Sequence, residues 1–222
     1  MIAFIFLVLT NQFGSIQNIR PNYKTCNNSF NQNDTILNTL NGKIKGECYK
    51  IPINYANRTR IESKILIWLS VPYAEAPINN LRFKSPQPVK PWDGIINGLD
   101  YPFKCIQVPG LDSNNSNENC LYLNIYVPYN NSSTSGLPIF VFIHGGSFIL
   151  GSSSNYDGSR IAIMSNMIVI TINYRLGPFG FFYIKDTEAN GNQALRDQQL
   201  ALKWIYENSV YFGGNKNRYL YE

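Results

Sequence analysis

The chemistry of this chain is concentrated where a histidine and two adjacent glycines follow an apolar run. Residues 139–143 are β-forming, and His144, Gly145, Gly146 and Ser147 come directly after them. Adjacent glycines let the backbone turn so that its N–H groups point into a cleft at the carboxyl end of a strand. Such groups can donate to the negative oxygen that forms when an ester carbonyl is attacked. The stretch predicts an oxyanion-binding loop; the alternative is an ordinary tight turn after a buried strand.

The second half of the chain predicts the elements that would hold this loop. Residues 139–143 and 167–172 are unbroken runs of β-forming residues, which is typical of strands buried on both faces. Residues 159–166 and 192–211 have apolar residues at helical spacing, with Leu195 part of the second stripe. Strand, crossover, strand and helix in this order predict a mainly parallel sheet with helices on its faces.

The first half predicts a different arrangement. Residues 17–41 are polar and rich in asparagine, and we expect an irregular arm there. Residues 42–46, 48–55 and 65–71 show short alternating or apolar runs, which favour a small antiparallel meander. The repeated prolines in residues 72–93 predict an ordered loop, because proline disfavours both helix interiors and central strands.

Composition excludes several classes of function. Hydrophobic residues make up 44% of the 222 residues, which excludes a disordered chain. The formal net charge is +5, but the basic residues are scattered, so nucleic-acid binding is not predicted. The chain has one histidine and no C-x-x-C pair, and we predict neither a zinc site nor any cofactor.

The start of the chain resembles a targeting element. Residues 2–9 form an apolar run that is too short to span a bilayer, and small residues follow it. We expect residues 1–16 to be a signal peptide of a secreted protein; the alternative is a buried first strand. No later stretch approaches the ~20 apolar residues of a membrane helix, so no membrane span is predicted.

Cysteines and glycosylation sequons agree with export. Four cysteines suit an oxidising compartment, and three pairings can be drawn between them. Cys105 and Cys120 enclose a short polar loop, which would leave Cys26 with Cys48. Candidate N-glycosylation sites, each of which could also be a chance match in an asparagine-rich sequence, are Asn27, Asn33, Asn57, Asn114, Asn130 and Asn131.

Several further motifs occur in a fixed order. They include VPYAEAP at 71–77, ENCLYLN at 118–124, NYRLGPFGF at 173–181 and YFGG at 211–214. Together with the glycine loop, they resemble the type-B carboxylesterases, a family that also includes cholinesterases and neuroligins. The resemblance covers nearly everything from Gly42 onward. It implies an α/β-hydrolase fold, of which residues 42–222 would be the amino-terminal part, truncated before the nucleophile elbow.

The resemblance also assigns roles to individual residues. It places the backbone N–H groups of Gly146 and Ser147 as the oxyanion donors, with Gly145 shaping the turn. It pairs Cys105 with Cys120 in a loop disulfide. It implies two internal ion pairs, which are Arg82 with Glu118 and Arg175 with Asp197.

Ester hydrolysis in this family needs a serine on a G-x-S-x-G elbow, a histidine base and an acidic residue. None of the three can be assigned in this sequence. The single histidine, His144, belongs to the oxyanion motif, and Ser147 has no second histidine to activate its hydroxyl. We therefore expect the amino-terminal part of a secreted serine carboxylesterase that is inactive as written.

The substrate implied is a small, uncharged carboxylic ester. The loop between Cys105 and Cys120 contains no tryptophan, which disfavours a choline ester, since cation–π binding needs an aromatic ring. One alternative is a non-catalytic, neuroligin-like adhesion ectodomain. Another is a short secreted protein whose exposed strands a partner chain covers.

Overall fold

A seven-stranded mixed sheet and a three-stranded sheet form the framework of the computed structural model. The structure describes residues 23–26, 32–54, 60–107, 115–129 and 136–221. The strands are β1 (Lys24–Thr25), β2 (Ile36–Asn38), β3 (Lys43–Lys45), β4 (Glu47–Asn54), β5 (Arg60–Pro72), β6 (Ile95–Asn97), β7 (Tyr122–Pro128), β8 (Leu137–Ile143), β9 (Ile168–Ile172) and β10 (Gly214–Tyr221). The α-helices are α1 (Ser159–Ser165), α2 (Gly177–Phe181) and α3 (Gln193–Asn208).

The large sheet changes from antiparallel to parallel along its width. Its strand order is β1-β4-β5-β7-β9-β8-β10. Each neighbouring pair from β1 to β9 is antiparallel, whereas β8 runs parallel to both β9 and β10. Helices accompany the parallel part, so the predicted α/β class is confirmed. The parallel part comprises three strands, so more of this sheet is antiparallel than the sequence suggested.

The prediction of strands buried on both faces holds for β9, whereas β8 is partly buried and the edge strand β10 leaves Lys216, Asn217, Arg218 and Leu220 exposed. All five residues of β9 are buried. Ile168, Ile170 and Ile172 pack in the core cluster that includes α3, and Val169 packs in the cluster that includes Ala162 of α1. Successive side chains of a strand point to opposite faces, and here a helix covers each face.

The predicted helices are present, with one correction to their buried face. α1 and α3 fall within the ranges predicted from apolar spacing, and a 3-10 turn, Ser209–Phe212, continues α3. Ala194, Ala201 and Trp204 are buried, but Leu195 is 45% exposed. The expectation that Leu195 belongs to the core stripe is therefore wrong. The buried face follows Ala194, Ala201 and Ile205, and Leu195 lies about 100° around the helix from Ala194.

The arm predicted to be irregular contains regular structure in its described part. β1 pairs with β4, and the disulfide Cys26–Cys48 fastens it there. β2 lies in the small sheet, where Leu37 is buried. The indole Nε1 of Trp68 donates to the carbonyl of Thr35 at 2.8 Å. These contacts are long-range, so the local polar composition did not reveal them.

The predicted antiparallel meander is only partly correct. β4 and β5 pair antiparallel from Glu47↔Ile67 to Asn54↔Arg60. β3 does not join them, because it lies between β2 and β6 in the small sheet, where it runs parallel to β6. β3 pairs with β6, which lies some fifty residues further along the chain. Alternation of apolar and polar residues does not specify such a long-range partner.

Some sequence predictions concern residues outside the described ranges. The proposed signal peptide at 1–16 and the sequons at Asn27, Asn57, Asn114, Asn130 and Asn131 belong to this group. Asn33 is described and is exposed. Within the described ranges, no helix combines the length and apolar character needed to cross a membrane.

Stability should depend strongly on the buried parallel strands. Replacing Ile170 with Ala removes a fully buried side chain from β9, so the free energy of unfolding should fall by about 2–5 kcal/mol. The control is Met164→Ala on α1, where the side chain is 58% exposed and the expected change stays within about 0.5 kcal/mol. Urea denaturation of the purified chain measures both values, and equal changes in the two variants would contradict the assigned core.

Candidate functional site

The carboxyl ends of β8 and β9 lie side by side and begin the candidate site. The parallel register pairs Ile143 with Ile172, so the next residues, His144 and Asn173, emerge at the same edge of the sheet. Binding and catalytic groups gather at this edge in α/β proteins. The glycine loop predicted from sequence therefore starts where chemistry is expected.

The glycine loop reverses the chain immediately after β8. Gly146, Ser147 and Phe148 have φ angles of +123°, +54° and +61°. The N–H groups of Ile149 and Leu150 donate to the carbonyl of Gly146 at 3.0 and 3.2 Å. A Cβ on Gly146 would overlap the carbonyl oxygen of Leu150, so this position requires glycine.

Two backbone donors in this turn have no acceptor within the described part of the chain. Among the described residues, no atom accepts a hydrogen bond from the N–H group of Gly146 or of Ser147. Gly145 and Ser147 are exposed, and Gly146 is half-buried. Two adjacent free N–H groups at the end of a strand can bind an anionic oxygen.

His144, at the start of the loop, is buried and neutral. Its Nδ1 lies 3.0 Å from the carbonyl oxygen of Gly145, and because that oxygen can only accept, Nδ1 carries the proton. Its Nε2 has no hydrogen-bond partner within the described part of the chain. Burial lowers the pKa of His144 to about 4, which keeps the imidazole neutral near pH 7.

Tyr174 fixes the first peptide group of the loop. Its hydroxyl donates to the carbonyl of His144 at 2.6 Å, and its ring stacks on the imidazole with centroids 4.5 Å apart. Burial raises the pKa of Tyr174 to about 12, so the hydroxyl keeps its proton and remains a donor. In the sequence, Tyr174 was visible only as part of a motif.

Asn173 is a second positioning group that the sequence did not single out. Its side-chain Oδ1 accepts from the N–H of Ser153 at 2.8 Å, and its Nδ2 donates to the carbonyl of Phe103 at 2.9 Å. Its own carbonyl accepts from the hydroxyl of Tyr73 at 2.7 Å. Its place directly after β9 is the signal that could have identified it, since the glycine loop occupies the same place after β8.

The pair Arg175–Asp197 ties the segment after β9 to α3. The guanidinium Nε and Nη2 donate to the two carboxylate oxygens at 2.8 and 2.7 Å, and both side chains are buried. Burial raises the pKa of Asp197, while the hydrogen bonds from Arg175 oppose that rise. Removing one partner would leave a buried charge unpaired, which costs about 3–5 kcal/mol.

The pair Arg82–Glu118 differs from what the resemblance implied. Its two hydrogen bonds are 2.6 and 2.7 Å long, but the Arg82 side chain is 42% exposed. It is therefore a surface pair rather than an internal one, and solvent screens it.

Both predicted disulfides are present. Cys105 pairs with Cys120 at a Cα–Cα distance of 5.0 Å, and Cys26 pairs with Cys48 at 5.4 Å. The first bond joins the two ends of the segment 105–120. Residues 108–114 of the loop lie outside the described ranges.

Other features do not contribute to this site. A cavity of about 590 Å³ lies between the proline-rich loop and β6, with Trp92, Tyr101, Phe103 and Tyr122 among its lining residues, and no residue of the glycine loop lines it. In the ranges that the structure describes, no group of three or more His, Cys, Asp or Glu side chains could hold a metal ion.

Comparison with known proteins defines the class to which this fold and loop belong. The model of the carboxylesterase family matches residues 33–219. The chain therefore belongs to the carboxylesterase family, whose fold is the α/β hydrolase. This confirms the family and the fold predicted from the sequence motifs.

Individual relatives agree with this assignment. The chain is 38% identical over 195 residues to a protein named Pyrethroid hydrolase Ces2e from Rattus norvegicus, covering 82% of this chain and 33% of that protein. It is 38% identical over 188 residues to the fatty acyl-CoA hydrolase precursor, medium chain, of Anas platyrhynchos (78% and 32%). It is 38% identical over 194 residues to carboxylesterase 1D of Mus musculus (81% and 33%). The chain spans about one third of the length of these relatives.

The burial of His144 predicts a pH dependence of stability. Its pKa is about 4 in the folded chain and about 6.5 in an unfolded one, so the unfolded state binds the proton more tightly. The stabilisation is complete above pH 6.5 and is lost as the pH falls from 6.5 towards 4, by roughly 3 kcal/mol. Urea denaturation between pH 7 and 4 should show this loss in the wild type and a smaller one in His144→Gln. Identical pH profiles for the two proteins would contradict the assignment.

Proposed function

We propose that this chain provides the oxyanion-binding part of a secreted carboxylic-ester hydrolase. The N–H groups of Gly146 and Ser147 would donate to the oxygen of the tetrahedral intermediate, and Gly145 would shape the turn that presents them. The observation that carries the proposal is the pair of adjacent N–H groups, which no acceptor among the described residues occupies. Such donors stabilise the transition state because the negative charge develops on the oxygen that they contact.

The proposed substrate is a small, uncharged carboxylic ester. Two relatives are named a pyrethroid hydrolase and a fatty acyl-CoA hydrolase. Pyrethroids are uncharged esters, which agrees with this substrate class. Acyl-CoA compounds are large, charged thioesters and share with it only the oxyanion that the same two donors would bind. The absence of tryptophan between Cys105 and Cys120 argues against a choline ester.

The attacking group would come from outside this sequence. The 222 residues contain no G-x-S-x-G motif, and their single histidine, His144, is buried within the oxyanion loop. Ser147 would act through its backbone, because no second histidine is present to take the proton of its hydroxyl. We infer that a nucleophile, an acid and a base in the rest of a longer protein complete the site, and that these residues alone are inactive.

Secretion and glycosylation belong to the same proposal. The disulfides Cys26–Cys48 and Cys105–Cys120 suit an oxidising compartment. The apolar run at residues 2–9 supports a signal peptide, and the exposed side chain of Asn33 suits an N-glycan. Release of the protein into the medium of secreting cells, with a mass that falls after glycosidase treatment, would support both points.

A non-catalytic adhesion ectodomain is the alternative. The relatives described above bear hydrolase names, which does not favour this alternative. The sequence that follows codon 222 in the complete transcript separates the two. A downstream G-x-S-x-G motif with a second histidine supports the hydrolase, whereas their absence supports the alternative. Triad-dependent turnover by the 222 residues alone would contradict the assignment of the nucleophile.

Substitution of Gly146 tests the oxyanion role. In the product of the complete coding sequence, Gly146→Ala should lower kcat for p-nitrophenyl butyrate by about 10²–10³-fold, because the new Cβ would displace the turn that holds both donors. Gly145→Ala is the matched comparison. Gly145 does not have a positive φ and its Cβ would meet no atom within 4 Å, so the turn can still form and a much smaller loss is expected. Equal losses in the two variants would argue against the proposed geometry.

Replacement of Ser147 separates its hydroxyl from its backbone. Ser147→Ala keeps the N–H group and a similar backbone preference, so we expect it to lose less than about tenfold in kcat, far below the loss for a missing nucleophile. Steady-state hydrolysis of p-nitrophenyl butyrate measures this value. Complete loss of activity in a variant that is still secreted would show that the hydroxyl itself reacts.

A further inference from the structure

A buried glutamine joins the disulfide loop to the oxyanion loop. The side-chain Oε1 of Gln107 accepts from the N–H of Gly151 at 3.0 Å, and its Nε2 donates to the carbonyl of Gly151 at 3.0 Å. One amide side chain thus satisfies both backbone groups of one residue. Gln107 is 7% exposed, so water does not compete effectively for these bonds.

Gly151 is the point at which the oxyanion loop closes on itself. Its φ is +117°, and a Cβ there would lie 2.6 Å from the carbonyl oxygen of Gly145 and would overlap the imidazole of His144. The end of the loop is therefore packed against its beginning. A shift of Gly151 would be transmitted to Gly145 and His144, and from them to the N–H groups that follow.

Gln107 is itself held by the residue that begins the disulfide. The Nε2 of Gln107 also donates to the carbonyl of Cys105 at 3.2 Å. Cys105 is bonded to Cys120, which lies two residues before the start of β7 in the large sheet. The path therefore runs from the sheet through the disulfide and Gln107 to Gly151. No sequence pattern singles out Gln107, because its role depends on a contact across 44 residues.

We propose that Gln107 is a positioning residue for the oxyanion loop, and that the disulfide Cys105–Cys120 holds it in place. Gln107 touches no reacting atom. It fixes Gly151 and thereby holds the turn that carries the N–H groups of Gly146 and Ser147. The catalytic consequence of this inference rests on the proposed function, whereas its structural consequence does not.

The first experiment needs no activity. Gln107→Met keeps the length of the side chain but removes both hydrogen bonds to Gly151. In ¹⁵N-labelled chain, we expect amide hydrogen exchange at Gly151 to become at least about tenfold faster, and the amide signals of Gly146 and Ser147 to shift and broaden. Gln107→Glu keeps only the acceptor for the N–H of Gly151 and should give an intermediate result.

Gln193→Met is the matched control. Gln193 is also a buried glutamine whose Nε2 donates to two carbonyls, those of Phe83 and Phe182, but neither carbonyl belongs to the oxyanion loop. It should leave the signals of Gly146, Ser147 and Gly151 unchanged even if it destabilises the chain. The proposal is overturned if both methionine variants disturb the loop equally, or if Gln107→Met changes Gly151 alone.

Removing the disulfide provides an independent experiment. The double variant Cys105→Ala/Cys120→Ala should reproduce the exchange increase at Gly151, while Cys26→Ala/Cys48→Ala should not. This experiment remains informative if Gln107→Met fails to fold. An unchanged loop in the first double variant would overturn the role of the disulfide.

The catalytic arm uses the product of the complete coding sequence. Gln107→Met should lower kcat about tenfold and change KM less than about twofold, because misaimed donors weaken transition-state stabilisation rather than substrate binding. If the loop loosens in the exchange experiment but kcat is unaffected, the proposed function fails and the positioning role stands. If kcat falls while the loop signals are unchanged, the positioning role fails.

Discussion

The site depends on one backbone constraint, which is that the chain must turn back immediately after β8 through consecutive residues with positive φ. Ser147 and Phe148 carry side chains and still adopt this conformation. Non-glycine residues in this region are strained by about 1–3 kcal/mol each, so surrounding contacts must hold them. The turn exposes N–H groups that a relaxed helix or strand would use internally, so in the proposed function this strain would serve the binding of an anionic oxygen.

Contacts that hold the turn come mainly from the segment after β9. Asn173 fixes Ser153 beyond the loop, Tyr174 fixes the carbonyl of His144 at its start, and Arg175 is locked to Asp197 of α3. Three successive residues thus connect the segment after β9 to Ser153, to the start of the loop and to a helix. A buried polar network of this kind stabilises a single geometry only when its members are paired, since unpaired groups are costly in a low dielectric.

When backbone N–H groups act in catalysis, the important side chains include those that hold the backbone in place. A donor that belongs to the main chain cannot be removed by truncating a side chain, so its geometry is controlled by groups that never meet the substrate. Tyr174 and Gln107 both contact carbonyl or N–H groups of the loop rather than the space where an ester would lie. Their effect would be on the direction of the N–H groups, and hence on transition-state binding.

The sequence by itself determined the family, the α/β class, the glycine loop and the strands at β8 and β9, because each leaves a local or motif-level pattern. It indicated Cys105–Cys120 through the family resemblance, and Cys26–Cys48 followed only as the remaining pair. It did not determine the position of β3, the strands within the first arm, the exposure of Leu195 or of the pair Arg82–Glu118. Nor did it show that Gln107 meets Gly151. These outcomes depend on contacts between residues far apart in the chain. Burial and close packing determine such contacts, and neither periodicity nor spacing in the sequence predicts them.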